Sequence, residues 1–161
     1  TGTFFKMDIR GRNDLSLKDK WSEGPKTYLG LQVAGFPNMF MITGPGSPSV
    51  LSNMPVSIEQ HIGRIADLLQ YMRERGIEAV EADAGAETAW VSHVNEVAEP
   101  TMYMLANSWY LGANIPGKPR VFMPYAGGVG NYRKKCDEIA ENGYEGFILH
   151  PGDRSKAASA T

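Results

Sequence analysis

His61, His93 and His150 are the side chains best suited to metal binding or acid–base work, but they fall on three different predicted elements and form no HxxxH or CxxC pairing. No metal site is expected from them. Ser47 lies between Gly46 and Pro48. It lacks the GxSxG elbow of a serine nucleophile, and Pro48 lacks the backbone N–H that an oxyanion hole takes from the next residue. Gly44-x-Gly46 opens like a dinucleotide fingerprint, yet Ser49 stands where the third glycine belongs and prolines fill the interval. Two features remain. A predicted strand ending at Thr43, the segment GPGSPSVLS (Gly44 to Ser52) and a helix starting at Asn53 would together present backbone N–H groups and a positive dipole end beyond a strand's carboxyl edge. An electron-rich group would bind there; the same arrangement also serves as a plain strand-to-helix connection. Trp109 and Tyr110, set among glycines and prolines, read either as a mobile lid with an aromatic anchor or as a loop that its rings pack down.

The elements that must position these residues follow from periodicity and punctuation. Thr3 to Ile9 alternates loosely and reads as a half-buried strand. Ser16 and Asp19 resemble a capping box for a helix of about two turns ending near Trp21, stopped by Gly24 and Pro25. Thr27 to Val33 reads as a strand, and Asn38 to Thr43, continuously apolar, as a fully buried one. A long helix follows, with Asn53 as N-cap, Pro55 in its first turn and Arg73, Arg75 and Gly76 at its end; its apolar stripe is Met54, Ile58, Ile62, Ile65, Leu69 and Met72. Glu78 to Ala82 is a short strand. Asp83 caps a helix with inner face Ala86, Trp90, Val94 and Val97, ended by Pro100. Met102 to Tyr110 continues as helix, Ser108 to Arg120 is irregular, and Val121 to Tyr125 is a strand. Asn131 to Asn142 is a helix burying Tyr132, Cys136 and Ile139, and Gly146 to Leu149 is a final strand. Residues 1–150 thus form one unit, and 151–161, rich in Ala, Ser and charge, a disordered tail.

Composition bounds the partners. The 161 residues, 42% hydrophobic, amount to one domain or a piece of a larger one. With 16 basic against 18 acidic side chains and a net charge of −2, no patch exists to neutralise a run of phosphates, so nucleic acid is excluded as an expected partner. No apolar run approaches the roughly 20 residues that span a bilayer. The single Cys136 cannot form an internal disulfide, and with no signal peptide this fits a reducing cytoplasm. The chain has no initiating Met and enters its first predicted strand at once, so it is expected to be a piece of a longer polypeptide or a processed product.

The segments GFPNMFMITGPGSPSVLSNMPVSIEQH (Gly35 to His61) and NSWYLGANIPGKPRVFMPYAGG (Asn107 to Gly128), with GYEGF near the end, resemble the C-terminal part of the Baeyer-Villiger monooxygenases, most of all the phenylacetone and steroid monooxygenase branch. The likeness runs from Thr1 to about Leu149. It implies an α/β fold, the C-terminal part of a Rossmann-like FAD-binding domain in a flavoprotein with two dinucleotide-binding domains. The family's GxGxxG fingerprints, FxGxxxHxxxW signature and active-site arginine have no counterpart here, so no catalytic residue is expected in this chain and the isolated chain is expected to be inactive. By the resemblance, Ser49, Val50, Leu51 and Met54 border a ketone pocket, Asn53 and Met54 face the flavin's pyrimidine edge, and Trp109 belongs to a loop that closes over NADP. FAD, NADPH, molecular oxygen, a ketone and the N-terminal remainder of the enzyme are then the implied partners. The alternatives from other classes are a stand-alone small-ligand binding module and a structural association partner without activity of its own.

Overall fold

The computed structural model describes residues 2–105, 109–112, 116–117 and 120–152; the predicted tail, apart from Pro151 and Gly152, lies outside them. Among the described residues four α-helices, α1 (Leu17–Lys20), α2 (Met54–Arg75), α3 (Ala84–Ala98) and α4 (Val129–Glu141), accompany two strands, β1 (Ile77–Ala82) and β2 (Phe147–Pro151), and several short 3₁₀ turns. The strands pair antiparallel, with Val80 opposite Leu149 and Ala82 opposite Phe147. Among the described residues no helix is long and apolar enough to cross a membrane.

Local signals explain the helices. Ser16 Oγ accepts from the Lys18 N–H at 3.2 Å and starts α1. Asp83 Oδ1 accepts from Gly85 and Ala86 at 2.8 and 2.9 Å and starts α3. Gly76, left-handed at φ 65°, closes α2 by donating to the Met72 and Arg73 carbonyls. Trp90 and Val94 of α3 and Tyr132, Cys136 and Ile139 of α4 meet in the largest core with Tyr28, Leu29, Leu111, Phe122 and Tyr125. A second core joins Leu17, Trp21, Val33, Phe36 and Met41, and a third joins Leu68, Met72, Val80 and Tyr144.

Four expected strands do not form. Phe4–Lys6 is a 3₁₀ turn, with Phe4 edge-on to Trp21 at 5.7 Å. Thr27 to Val33 folds back on itself because Leu29 (φ 57°) and Gly30 (φ 70°) both take left-handed backbone, the geometry of a type I′ turn, leaving only the bridge Tyr28 to Gln32. Asn38 to Thr43 and Val121 to Tyr125 have no strand assignment. Each has the composition of a strand but no ladder partner among the described residues, and a strand is defined by its partner. Met102–Leu105 and Trp109–Leu111 are 3₁₀ turns where a continuous helix was expected; residues 106–108 lie outside the described set.

The apolar stripe of α2 also differs. Met72 is buried and Ile65 partly so, but Ile62 is 51% and Leu69 46% exposed, while Ser57, Gln60, His61 and Leu68 face inward. This helix is apolar over a wider arc than one core can cover, so periodicity identifies the helix without choosing its face.

Candidate functional site

The Gly44 to Ser52 segment is held from behind by contacts that only small residues permit. A Cβ on Gly30 would lie 2.6 Å from Ser47 Cβ and 3.0 Å from the Gly44 carbonyl oxygen. Trp90 Nε1 donates to the Gly46 carbonyl at 3.1 Å, and the Thr27 hydroxyl donates to the Pro45 carbonyl. Ser47 Oγ donates to the Gly44 carbonyl at 2.7 Å and is fully buried, which rules it out as a nucleophile, as the sequence pattern does. Thr43 (φ 53°), just before the segment, and Ser49 (φ 41°), within it, take left-handed backbone that β-branched and ordinary residues seldom adopt. Such strain persists only where surrounding contacts over-determine the chain.

One of those contacts is His61, fully buried on α2. The Thr43 N–H donates to its Nδ1 at 2.8 Å, so in the neutral ring the proton sits on Nε2. Nε2–H donates to Tyr132 Oη at 3.0 Å, and the Tyr132 hydroxyl donates in turn to the Leu29 carbonyl. This relay ties the loop entrance, α2, α4 and the Leu29–Gly30 turn together. Burial lowers His61 to about 4, since a charged ring there has no solvent. The sequence marks His61 only as an isolated histidine; nothing local reveals its partners, which lie 18 and 71 residues away.

The loop's donors are used more fully than the sequence implies. The Ser47, Leu51 and Ser52 amides bond to Gly44, Pro48 and Ser49 within the loop, and the Gly46 amide to Met123. Among the described residues the Gly44 and Ser49 amides take no such partner, and further free amides lie at the start of α2. There Asn53 has the non-helical backbone of an N-cap but makes no side-chain cap bond, Pro55 contributes no N–H, and the Ser52 and Ser57 hydroxyls pair with each other at 2.6 Å. The first turn of this 22-residue helix thus keeps its positive end uncapped by side chains. Asn53 is exposed, Met54 and Ser49 are partly exposed, and Leu51 packs against the main core. Val50 shares the Ser49–Leu51 turn, and its side chain lies outside the described residues.

Trp109 reaches the same region through a series of separate backbone hydrogen bonds. Tyr125 donates to the Ser47 carbonyl at 2.7 Å, Met123 to Tyr110 at 3.1 Å and Val121 to Leu111 at 3.2 Å. Residues 121–125 therefore join the Trp109–Leu111 turn to the loop. Leu111 is buried, whereas Trp109 is 52% exposed and lies against Tyr110 with ring centroids 4.3 Å apart. The turn is anchored and its indole remains accessible.

The other candidates are accounted for. His93 Nε2 lies 3.4 Å from Tyr125 Oη, and His150 lies 2.8 Å from Glu81 Oε1 on the opposite strand. Among the described residues no group of three potential ligands could hold a metal ion. Glu81 also receives Arg12 Nε at 2.6 Å; although burial raises its carboxyl, the Arg12 and His150 bonds outweigh that and hold it below the usual range. Burial pushes the Cys136 thiol up to about 11, which removes it as a thiolate nucleophile at neutral pH.

No family-wide sequence profile matches the chain. Individual proteins do. It is 44% identical over 147 residues to a Baeyer-Villiger monooxygenase of Pseudooceanicola batsensis and 42% identical over 148 residues to a cyclohexanone 1,2-monooxygenase of an Acinetobacter species. These matches cover 91% and 92% of this chain but 27% of each relative, so the chain spans about 27% of the length of these relatives. Among solved structures, an oxidised steroid monooxygenase bound to NADP superposes with a TM-score of 0.87 at 46% identity, covering 94% of this chain and 28% of that one. A cyclohexanone monooxygenase from Rhodococcus sp. Phi1 bound to NADP+ superposes with a TM-score of 0.90 at 38% identity over the same shares. The mixture of helix and strand is compatible with a fragment of an α/β flavoprotein. The chain is therefore a homologue, over nearly its whole described length, of one portion of the Baeyer-Villiger monooxygenases.

Proposed function

We propose that this chain is the C-terminal part of the FAD-binding domain, residues 1–150, of an FAD- and NADPH-dependent monooxygenase that converts ketones to esters or lactones, completed by the N-terminal remainder of the polypeptide. The observation that carries this reading is the near-complete superposition on NADP-bound monooxygenases together with a loop held rigidly at the start of α2. In such an enzyme FAD, reduced by NADPH, supplies the electrons with which molecular oxygen is activated for insertion beside the carbonyl. The residues here fit one end of that cofactor. The uncapped first turn of α2, at Asn53 and Met54, favours negative charge on a flavin's pyrimidine edge, whereas this chain contains no glycine-rich cradle for phosphates. Ser49, Val50, Leu51 and Met54 border the ketone pocket, and Trp109 closes over NADP and excludes water. None of these side chains supplies a proton or a nucleophile. With a single cysteine in the chain, we read the setting as cytoplasmic.

Trp109 gives the test. In the full-length enzyme, Trp109→Ala is expected to raise hydrogen peroxide released per NADPH consumed severalfold at saturating ketone, because an open lid admits water. The half-exposed indole contributes little to the core, so Tm should move by no more than about 2 °C. Unchanged coupling with a large fall in Tm would show that Trp109 only packs the loop.

Met54 reports on the pocket separately. Met54→Gly is expected to raise kcat/KM for bulky ketones about tenfold, since a pocket wall recedes while the helix start keeps its backbone bonds. A constant substrate profile accompanied by lost stability would place Met54 in the core.

A further inference from the structure

A cleft of about 770 Å³ opens between α3, α4 and the start of β2. None of its lining residues belongs to the Gly44 to Ser52 loop, the start of α2 or the Trp109 turn. Its floor is apolar: Trp90 of α3 and Ile139 of α4 are buried there, and buried Tyr28 meets Phe147 edge to face at 4.9 Å. Ala86 and Ala89, one turn apart on α3, line the same cleft, and their short side chains leave that floor uncovered. The volume lies within the roughly 300–1,000 Å³ typical of small-molecule sites. Charge is divided between the two ends. The Asp83 amide donates to the Gly146 carbonyl at 2.9 Å and Tyr28 Oη to the Glu145 carbonyl at 2.8 Å, so Asp83 and Glu145 share one end. From there α3 runs to His93, about 15 Å away at 1.5 Å per residue. Lys135 stands more than one turn before the end of α4, on the far side of Ile139 from Glu145.

The two ends differ in what they still offer. Lys135 Nζ has a carboxylate near it, Glu138 Oε2 at 3.8 Å. Asp83 caps α3 through Oδ1 and keeps Oδ2 without a partner among the described residues. The Glu145 carboxylate takes neither a hydrogen bond nor an ion pair among them. It faces the floor: burial raises the Tyr28 hydroxyl above its ordinary range, and the Glu145 charge adds to that rise. We propose that this cleft binds a small organic cation, an aryl- or cycloalkyl-alkylamine, with its ring on the Tyr28–Trp90–Ile139–Phe147 floor and its ammonium at the Glu145 carboxylate and Asp83 Oδ2. The apolar floor supplies the area, and the unpaired carboxylates select the charge. A neutral ring forgoes the charged partner, and an anion meets two like charges at that end. This site uses none of the residues assigned above to flavin, NADP or ketone, so it stands or falls apart from the oxygenase reading.

The test is calorimetric titration of the full-length polypeptide at low salt with three probes of similar size: 2-phenylethylammonium, neutral 2-phenylethanol and anionic 3-phenylpropionate. The ammonium is expected to bind with a Kd below about 1 mM. Ala89→Trp fills the cleft from an exposed position on α3 and should abolish that binding. Glu145→Gln should weaken it about fivefold while leaving any binding of the alcohol unchanged. Ammonium affinity that is the same in both variants lies elsewhere on the protein and overturns the proposal, as does the absence of binding to the unmodified polypeptide. An anion bound as tightly as the ammonium and lost in Ala89→Trp would assign the cleft to Lys135 and overturn the choice of a cation. Melting curves accompany each titration. Should Ala89→Trp fail to fold, Glu145→Gln, whose side chain is exposed, decides the matter alone: unchanged ammonium affinity in that variant refutes the site.

Discussion

Acidification from pH 6.5 to 5 is expected to cost this fold about 2 kcal/mol through His61 alone, rising to about 3 kcal/mol near pH 4. In the folded chain His61 resists protonation down to about 4 because it is buried. Unfolded, it takes up a proton near 6.5. The unfolded state therefore binds more protons throughout this window, and stability falls as pH falls, with the slope of one proton. Between pH 6.5 and 5 the loss lies above the range in which ordinary carboxylates titrate, so the Glu81 carboxyl does not mask it. Denaturant melts at pH 7.5, 6.0 and 5.0 on the chain and on His61→Gln would measure it, the variant losing the slope. Equal slopes in both would show that His61 is not the titrating group. His61→Ala at pH 7.5 should cost about 3–5 kcal/mol, since it leaves the Thr43 amide and the Tyr132 hydroxyl short of a partner inside the fold.

Gly30→Ala is expected to be comparably severe, at about 3–4 kcal/mol and roughly 10 °C in Tm. Left-handed backbone at φ 70° costs an alanine about 1 kcal/mol. The larger part comes from space. The new methyl would sit 2.6 Å from Ser47 Cβ and 2.9 Å from Ser47 N, against backbone that cannot rotate away. Gly76→Ala separates the two contributions. Its φ of 65° is similar, but nothing lies within 4 Å of the added Cβ, so only the backbone cost of about 1 kcal/mol should appear. Equal losses at the two positions would mean that the Gly30 contact relaxes freely. A large loss at Gly30 alone would also displace the Gly44 to Ser47 loop and, in a full-length enzyme, change the pocket that the loop borders.

What the sequence determined by itself was everything set within a few residues. Asp83 and Ser16 start their helices with their own side chains, Gly76 stops α2 with its own backbone, and the 3.6-residue period of Tyr132, Cys136 and Ile139 places those residues on one face of α4. The rejection of Ser47 as a nucleophile was local too, because Pro48 sits beside it. The long segments around Gly44 and Trp109 carried a resemblance to the Baeyer-Villiger monooxygenases before any geometry, and relatives at 42–44% identity match this chain over 27% of their own length. Tertiary structure decided what depends on distant partners. Thr27 to Val33 and Asn38 to Thr43 have similar strand-like composition. One is bent by two successive left-handed residues; the other is bounded by left-handed Asn38 and Thr43 and makes only isolated backbone bonds among the described residues, and composition does not record either condition. The face that α2 buries was likewise chosen by Leu68 and His61, together with Met72 of the apolar stripe, meeting β1 and α4, while Ile62 and Leu69 of that stripe stayed exposed. His61 itself, unremarkable in the sequence, became the tie between loop and core only when Thr43 and Tyr132 arrived on either side of its ring. Pairing, face and proton position are properties of two or more segments at once, and no single stretch of sequence contains them.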